Sequence, residues 1–314
     1  MESRVLVYGD IHLYSKNYGS HIDYAKESIE YFELITDVAK EYEVTHVVGL
    51  GDFSYGRFNS LEYRLNVERL LEEQNKITNG NRYELRGNHD TATYGMTEYE
   101  YYVSRGILKG KANLKLGCAN ISMCDYNDYS SLYVDKDSKV NILLAHDFLK
   151  FKNTTIANYG KAIELDNDER FYGLDYIISG HIHNIHIFEG DIIKDGNAHR
   201  CIVHYPGALT RPSIKEGLNN SKGNLVLLRI DDEGFKYDVI EVDLKPLNET
   251  YIMTSNNILD LGKATGNKVD IVDIVKNINN FDNNIGNPED IIMNLEGINE
   301  VYKNKAIDLL KKAE

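Results

Sequence analysis

Short apolar runs alternate along the chain with longer stretches whose apolar positions recur every three or four residues, a pattern that predicts strands and helices in turn. Residues 5–8 predict a first strand. Over residues 24–42, Ile29, Phe32, Ile35, Val38 and Ala39 fall at helical spacing, and residues 44–50 follow as a second strand, completing a βαβ unit. A Leu-, Glu- and Arg-rich stretch at 61–75 predicts the next helix, and the turn-like Asn79-Gly80-Asn81 leads into a short strand at 82–85. Further strands are expected at 120–124, 140–145, 176–179, 201–205, 224–230 and 237–242, so the second half is mostly β.

Pro246 closes the last of these strands, and the composition then shifts to Asn, Asp, Ile and Lys with few aromatics. A boundary is therefore expected there, separating a layered α/β domain at 1–245 from a small accessory, cap-like domain at 246–314. Helices are expected in the second part at 268–278, 288–295 and 298–313, with Asn287 as a cap and Pro288 in the first turn. The last carries an apolar stripe of Ile298, Val301, Tyr302, Ala306, Leu309 and Leu310, which must be buried either within its own domain or on a partner.

Hydrophobic residues make up 42% and charged residues 27% of the 314, the balance of an ordinary globular protein rather than a disordered or fibrous one. The apolar runs are far shorter than the roughly 20 residues a bilayer requires, so no membrane span is expected. Met1 leads almost directly into the first strand, leaving no room for an export leader. Cys118, Cys124 and Cys201 are odd in number and form no CxxC pair, which argues for core thiols in a reducing cytoplasm rather than disulfides or a thiolate zinc site. The formal charge of −14 opposes unaided binding to a nucleic-acid backbone, although bound divalent ions or a basic partner would change the local field.

Five apolar runs end in clusters of metal-ligand residue types: Gly9-Asp10-Ile11-His12, Gly51-Asp52, Gly87-Asn88-His89-Asp90, Ala145-His146-Asp147 and Gly180-His181-Ile182-His183. In an α/β sheet the C-terminal ends of the strands open onto one crevice, so residues distant in sequence can meet there. The alternate spacing within Asp10-x-His12 and His181-x-His183 sends both side chains of each pair to one side of an extended segment. Carboxylate, imidazole and amide oxygen suit Mn, Fe or Zn, and the absence of thiolates argues for an open catalytic site. Asp52 is the natural bridge between two cations, and a cation pair prepares a water-derived nucleophile for in-line attack on phosphorus. His89, next to Asn88 but facing elsewhere, is left to serve the leaving oxygen as general acid or charge stabiliser. Asp90 and Asp147 are expected to orient neighbouring groups rather than bind metal.

These five blocks, in this order, resemble the calcineurin-like metallophosphoesterase superfamily over roughly residues 4–245. The resemblance implies a four-layer αββα sandwich of two mixed sheets flanked by helices. It implies that Asp10, His12, Asp52 and His183 hold one metal while Asp52, Asn88, His146 and His181 hold the other, with His89 and Asp52 at the chemistry. The turn His204-Tyr205-Pro206-Gly207-Ala208-Leu209-Thr210-Arg211, followed by a strand pair, resembles the SbcD nuclease branch, some of whose members are phage-encoded.

That branch implies a manganese-dependent nuclease subunit for DNA ends. The expected partners are DNA, an SbcC-type coiled-coil ATPase and a second copy of the chain. Tyr55 stands where the branch usually carries a histidine, which leaves exonuclease polarity open. Arg57 and Arg211 are phosphate-clamp candidates, Tyr55 a further substrate contact, and Lys150, Lys152, Lys161, Arg200, Lys215 and Lys222 give locally basic loops. A phosphodiesterase acting on a small or cyclic nucleotide is the alternative, favoured by the acidic charge and by Tyr55; a scaffold without turnover fits poorly with seven intact ligand types.

Overall fold

The computed structural model describes residues 2–17, 20–55, 59–92, 95–156, 161–213 and 221–252. The elements run in the order β1 (Ser3–Tyr8), α1 (Tyr24–Glu41), β2 (His46–Gly49), α2 (Leu61–Ile77), β3 (Arg82–Glu84), α3 (Glu98–Ser104), β4 (Asn113–Leu116) and β5 (Ala119–Cys124). They continue with β6 (Val140–Ala145), the short pair β7 (Leu149–Lys150) and β8 (Ile163–Glu164), β9 (Tyr176–Ser179), β10 (His186–Lys194), β11 (Asn197–Tyr205), β12 (Lys222–Ile230), β13 (Phe235–Asp243) and one helical turn, α4 (Leu247–Thr250).

Two mixed sheets form the centre. The first has the order β13-β12-β1-β2-β3, with β1, β2 and β3 parallel, β12 antiparallel to β1, and β13 antiparallel to β12. The second has the order β10-β11-β9-β6-β5-β4, in which β5, β6, β9 and β11 are parallel and the outermost strands antiparallel. Val5, Val7 and Val48 from the first sheet bury their side chains against Ile121, Met123, Ile142, Leu144 and Ile178 of the second. The alternate positions Leu6 and Tyr8 face outward and are covered by Phe32 and Ile35 of α1 and Val67 and Leu71 of α2. Strands buried on both faces are therefore continuous apolar runs, which is why the sequence exposed them.

Helix boundaries follow local chemistry. The Asp23 carboxylate accepts from Lys26 N at 3.1 Å to open α1, Ser60 does the same for α2, and Thr97 and Glu100 close a reciprocal capping box on α3. The outer face of the second sheet is covered differently: Phe148, Phe151, Leu165 and Phe171 pack on it from loops and 3-10 turns. The chain is thus an α/β sandwich with its long helices, among the described residues, on one side. Among these residues no helix is long and apolar enough to cross a membrane. All three cysteines are buried thiols.

Four strands and two helices were not expected from the sequence: β4, β7, β8, β10, α3 and the single turn α4. Apart from the buried Ile192, strand β10 alternates exposed and half-buried positions, and only the two-residue turn Asp195-Gly196, both at positive φ (50° and 78°), announces the hairpin. The helices expected at 268–278, 288–295 and 298–313, and most of the accessory domain, lie outside the described residues.

Candidate metal centre

Asp10 and His12 follow β1, Asp52 follows β2, Asn88 and His89 follow β3, His146 follows β6, and His181 and His183 follow β9. The C-terminal ends of the two sheets' parallel strands thus open on a common crevice, where all seven ligand-type side chains converge. His12 Nε2 lies 3.1 Å from His183 Nε2. Asn88 Oδ1 lies 3.1 Å from His146 Nε2 and 2.9 Å from His181 Nδ1. Between these halves sits Asp52 Oδ2, 3.5 Å from His146 Nε2 and 3.9 Å from His12 Nε2. Asp52 is the carboxylate that faces both.

The backbone bends sharply to present these groups. His12, Asp52 and His181 adopt left-handed φ values of 46°, 51° and 75°, a conformation that costs a non-glycine residue roughly 1–3 kcal/mol. It is held by cross-links between loops: His12 N donates to Asp52 O at 2.9 Å, and His181 N donates to the Asp10 carboxylate at 3.1 Å. Gly87 is required by close approach, since a Cβ there would stand 2.1 Å from Asp52 Oδ1. Asp90, fully buried, accepts from Phe53 N, Ser54 N and Gly87 N at 2.9–3.1 Å and so ties the Asp52 loop to the Asn88 loop. Burial and the neighbouring Asp52 charge push the Asp90 carboxyl up to about 7, while the three N–H donors favour the anion. Asp147 accepts from Asn127 N and the Tyr129 hydroxyl, both at 2.9 Å, a loop-orienting role like that of Asp90.

Electrostatics make the cluster a cation site. Burial opposes charge on His146, but the Asp52 and Asp10 carboxylates outweigh it and push this imidazole up to about 10. Burial likewise opposes ionisation of Asp52, yet the surrounding imidazoles of His146, His12 and His89 hold its carboxyl well below the usual range. The His146 Nδ1–H donates to Leu50 O at 2.8 Å, so Nε2, which faces Asn88 Oδ1 and Asp52 Oδ2, is the nitrogen that would give up its proton to bind a cation. Asp10, His12 and His183 offer donor atoms all within 4.8 Å of one another, and so do Asp10, Asp52 and His146. Buried carboxylates and imidazoles concentrated in this way are stabilised by divalent cations, and the donor set fits two of them.

His89 differs from the ligand-type residues. Its N–H donates to Asp52 Oδ1 at 2.8 Å, but its side chain is 42% exposed and its Nε2 stands 4.0 Å from Asp52 Oδ2. The Tyr55 ring leans on it at 5.1 Å between centroids. Across the cluster, Tyr126 lies over His181 at 5.8 Å and beside His146 at 6.1 Å. Tyr126 was not anticipated: it follows β5 with no ligand-type pattern to mark it.

The expectation that Arg211 clamps phosphate is corrected here. The residue is 2% exposed, and its guanidinium donates to Lys245 O and, at 2.9 Å, to Thr250 Oγ1. Arg200 and Lys222, expected on basic loops, instead form cross-strand ion pairs with Glu189 and Glu241. Arg57 and Lys215 lie outside the described residues.

A family model described as calcineurin-like phosphoesterase matches residues 3–184, more than half of the chain and the whole set of seven ligand-type residues. The chain belongs to this family. It is accordingly a metal-dependent phosphoesterase hydrolase, and the family uses two divalent metals. Solved structures similar to it include a dimetal phosphatase from Danio rerio, at 10% identity and a TM-score of 0.45, covering 77% of this chain and 99% of that one. Another is Vacuolar Protein Sorting 29 from Cryptosporidium parvum, at 17% identity and a TM-score of 0.32, covering 77% and 98%. No curated protein matches.

Proposed function

We propose that this phosphoesterase is a nuclease of SbcD type, cleaving DNA phosphodiester bonds with two manganese ions and working in the cytoplasm with an SbcC-type coiled-coil ATPase. The observation that carries the reading is the open rim of the centre. His89 stands exposed beside the shared carboxylate, flanked by Tyr55, with Tyr126 on the opposite wall. A rim of aromatic faces suits a strand whose bases stack while its phosphate enters the cluster. The Tyr205-Pro206-Gly207 turn and the β12–β13 hairpin that follows add the sequence resemblance to that branch.

When bound, the ion pair supplies an activated water and neutralises charge on the diester. Asp10, His12, Asn88, His146, His181 and His183 would hold the ions, with Asp52 shared. His89 Nε2 would protonate the leaving oxygen as the P–O bond breaks, and the Asp52 carboxylate, accepting from His89 N, fixes the backbone from which that imidazole projects.

Manganese-dependent digestion of a labelled duplex, lost in His89→Ala, is the expected result. The net charge of −14 favours a second reading, a diesterase for small or cyclic nucleotides. Rapid turnover of a soluble diester, with no duplex cleavage in the presence or absence of the ATPase, would establish that reading instead.

A further inference from the structure

The segment 206–211 lies beyond the part of the chain matched by the family, and it stitches two ligand-bearing loops together. Ala208 N donates to His183 O at 3.0 Å, Leu209 N to Asp10 O at 3.2 Å, and Thr210 Oγ1 to Ile11 O at 2.9 Å. Tyr24, buried at the start of α1, places its hydroxyl 3.0 Å from His12 O and 3.1 Å from Thr210 Oγ1. Gly9 is what admits this segment, because a Cβ there would stand 2.2 Å from Gly207 O. Each of these bonds but the Tyr24–Thr210 one reaches Asp10, Ile11, His12 or His183. The opposite half of the centre shares the Asp10 carboxylate, which accepts from His181 N, but is otherwise braced by other groups: His146 by Leu50 O, and the following Asp147 N by Ser179 Oγ.

The same segment is fastened from behind by residues 245–251. Besides the two bonds from its guanidinium to Lys245 O and Thr250 Oγ1, Arg211 accepts at its carbonyl from the Tyr251 hydroxyl and from His21 Nε2, the latter at 2.8 Å. Glu27 lies 3.9 Å from the guanidinium, and the Tyr251 ring packs on His21 at 4.3 Å. Ile22 N donates to Thr250 O and Ile252 N to Ser20 O, at 2.9 and 2.7 Å, so the exit from β13 is paired to the loop that enters α1. An arginine buried among so many partners is a structural clasp.

We propose that residues 206–211, clasped through Arg211 to the segment 245–251, are a positioning element for the Asp10–His12–His183 half of the metal centre. Shifting the 245–251 segment therefore weakens metal binding in that half first. Besides the bond from His12 N to Asp52 O, Thr210 and Tyr24 hold the Ile11 and His12 carbonyls beside the left-handed His12, and Arg211, next to Thr210, is anchored to the 245–251 segment. The proposal holds whichever diester the centre cleaves.

The test is titration of the full chain with Mn²⁺ alone, with His183→Ala and Asn88→Ala as references that identify which binding step belongs to which half. In Thr210→Val and Tyr251→Phe the step missing from His183→Ala is expected to weaken by about 10–100-fold, the usual effect of losing an outer-shell partner, while the step missing from Asn88→Ala stays within about 2-fold. Thr210→Ser should restore the affected step. Arg211→Met gives the same selective loss where it folds; if it does not fold, the two milder variants decide. Equal weakening of both steps, weakening of the Asn88 step alone, or no change in either would overturn the proposal.

Discussion

Two clusters of buried charge lie near one another in this molecule and are built in opposite ways. Beneath the Asp52 loop, Arg82 and Glu84 are both fully buried and pair at 2.7 Å; the Tyr8 hydroxyl donates to Glu84 at 2.6 Å, and Arg82 Nε donates to Gln74 Oε1 at 2.6 Å. Every strong charge there meets its opposite within the protein. At the strand ends above, carboxylates and imidazoles point at common centres, and the backbone carries three left-handed residues to bring them there. The first cluster is complete in itself and serves the fold. The second requires cations to balance it, which is the physical mark of a working site.

Removing the shared carboxylate should separate the two most forcefully. Asp52→Ala is expected to abolish phosphodiester hydrolysis and reduce bound metal in elemental analysis while leaving a folded chain; retained turnover would contradict the bridging role. Next in size, His89→Ala should lower kcat by roughly 10²–10⁴-fold with metal content unchanged, as for loss of a general acid, and steady-state kinetics on a diester would show it. Arg82→Met should do the reverse, costing about 3–5 kcal/mol of stability in denaturant unfolding because Glu84 is stranded, while the folded fraction keeps its metal affinity.

The smallest effect contrasts two buried histidines. His146 lies among carboxylates that hold its proton, whereas His204, bonded to the Tyr176 hydroxyl at 2.8 Å, is lowered by burial to about 4. Since an unfolded histidine titrates near 6.5, the unfolded chain takes up the proton first as pH falls. The stabilisation from keeping His204 neutral is therefore full above about pH 6.5 and is lost, by on the order of 3 kcal/mol, as pH drops towards about 4. His204→Gln should flatten this part of a plot of Tm against pH; an unchanged slope would assign the acid sensitivity to other groups.

Much of this was legible in the residues. Both faces of β1, β2, β6 and β9 are buried, so those strands appear as unbroken apolar runs, and each ends in a short cluster of ligand types that the parallel topology must gather. The edge elements β4 and β10 were hidden because half-exposed strands carry a weak pattern. Tyr126, Tyr24 and Thr210 were hidden for a different reason: their importance lies in what approaches them from distant segments, which no local spacing encodes.

Arg211 shows where sequence ends and tertiary structure begins. An arginine after a Pro-Gly turn near a phosphoesterase motif has the chemistry of a phosphate clamp, and its type and position allow nothing finer. Only the folded chain, by laying residues 245–251 across it and burying it to 2% exposure, turned the guanidinium inward to carbonyl and hydroxyl partners. The order of the ligand blocks determined the family, the sandwich and the kind of chemistry, because these depend on residue type and periodicity. Which polar groups reach substrate and which brace the centre depended on long-range packing, since burial and partner geometry are properties of the assembled layers.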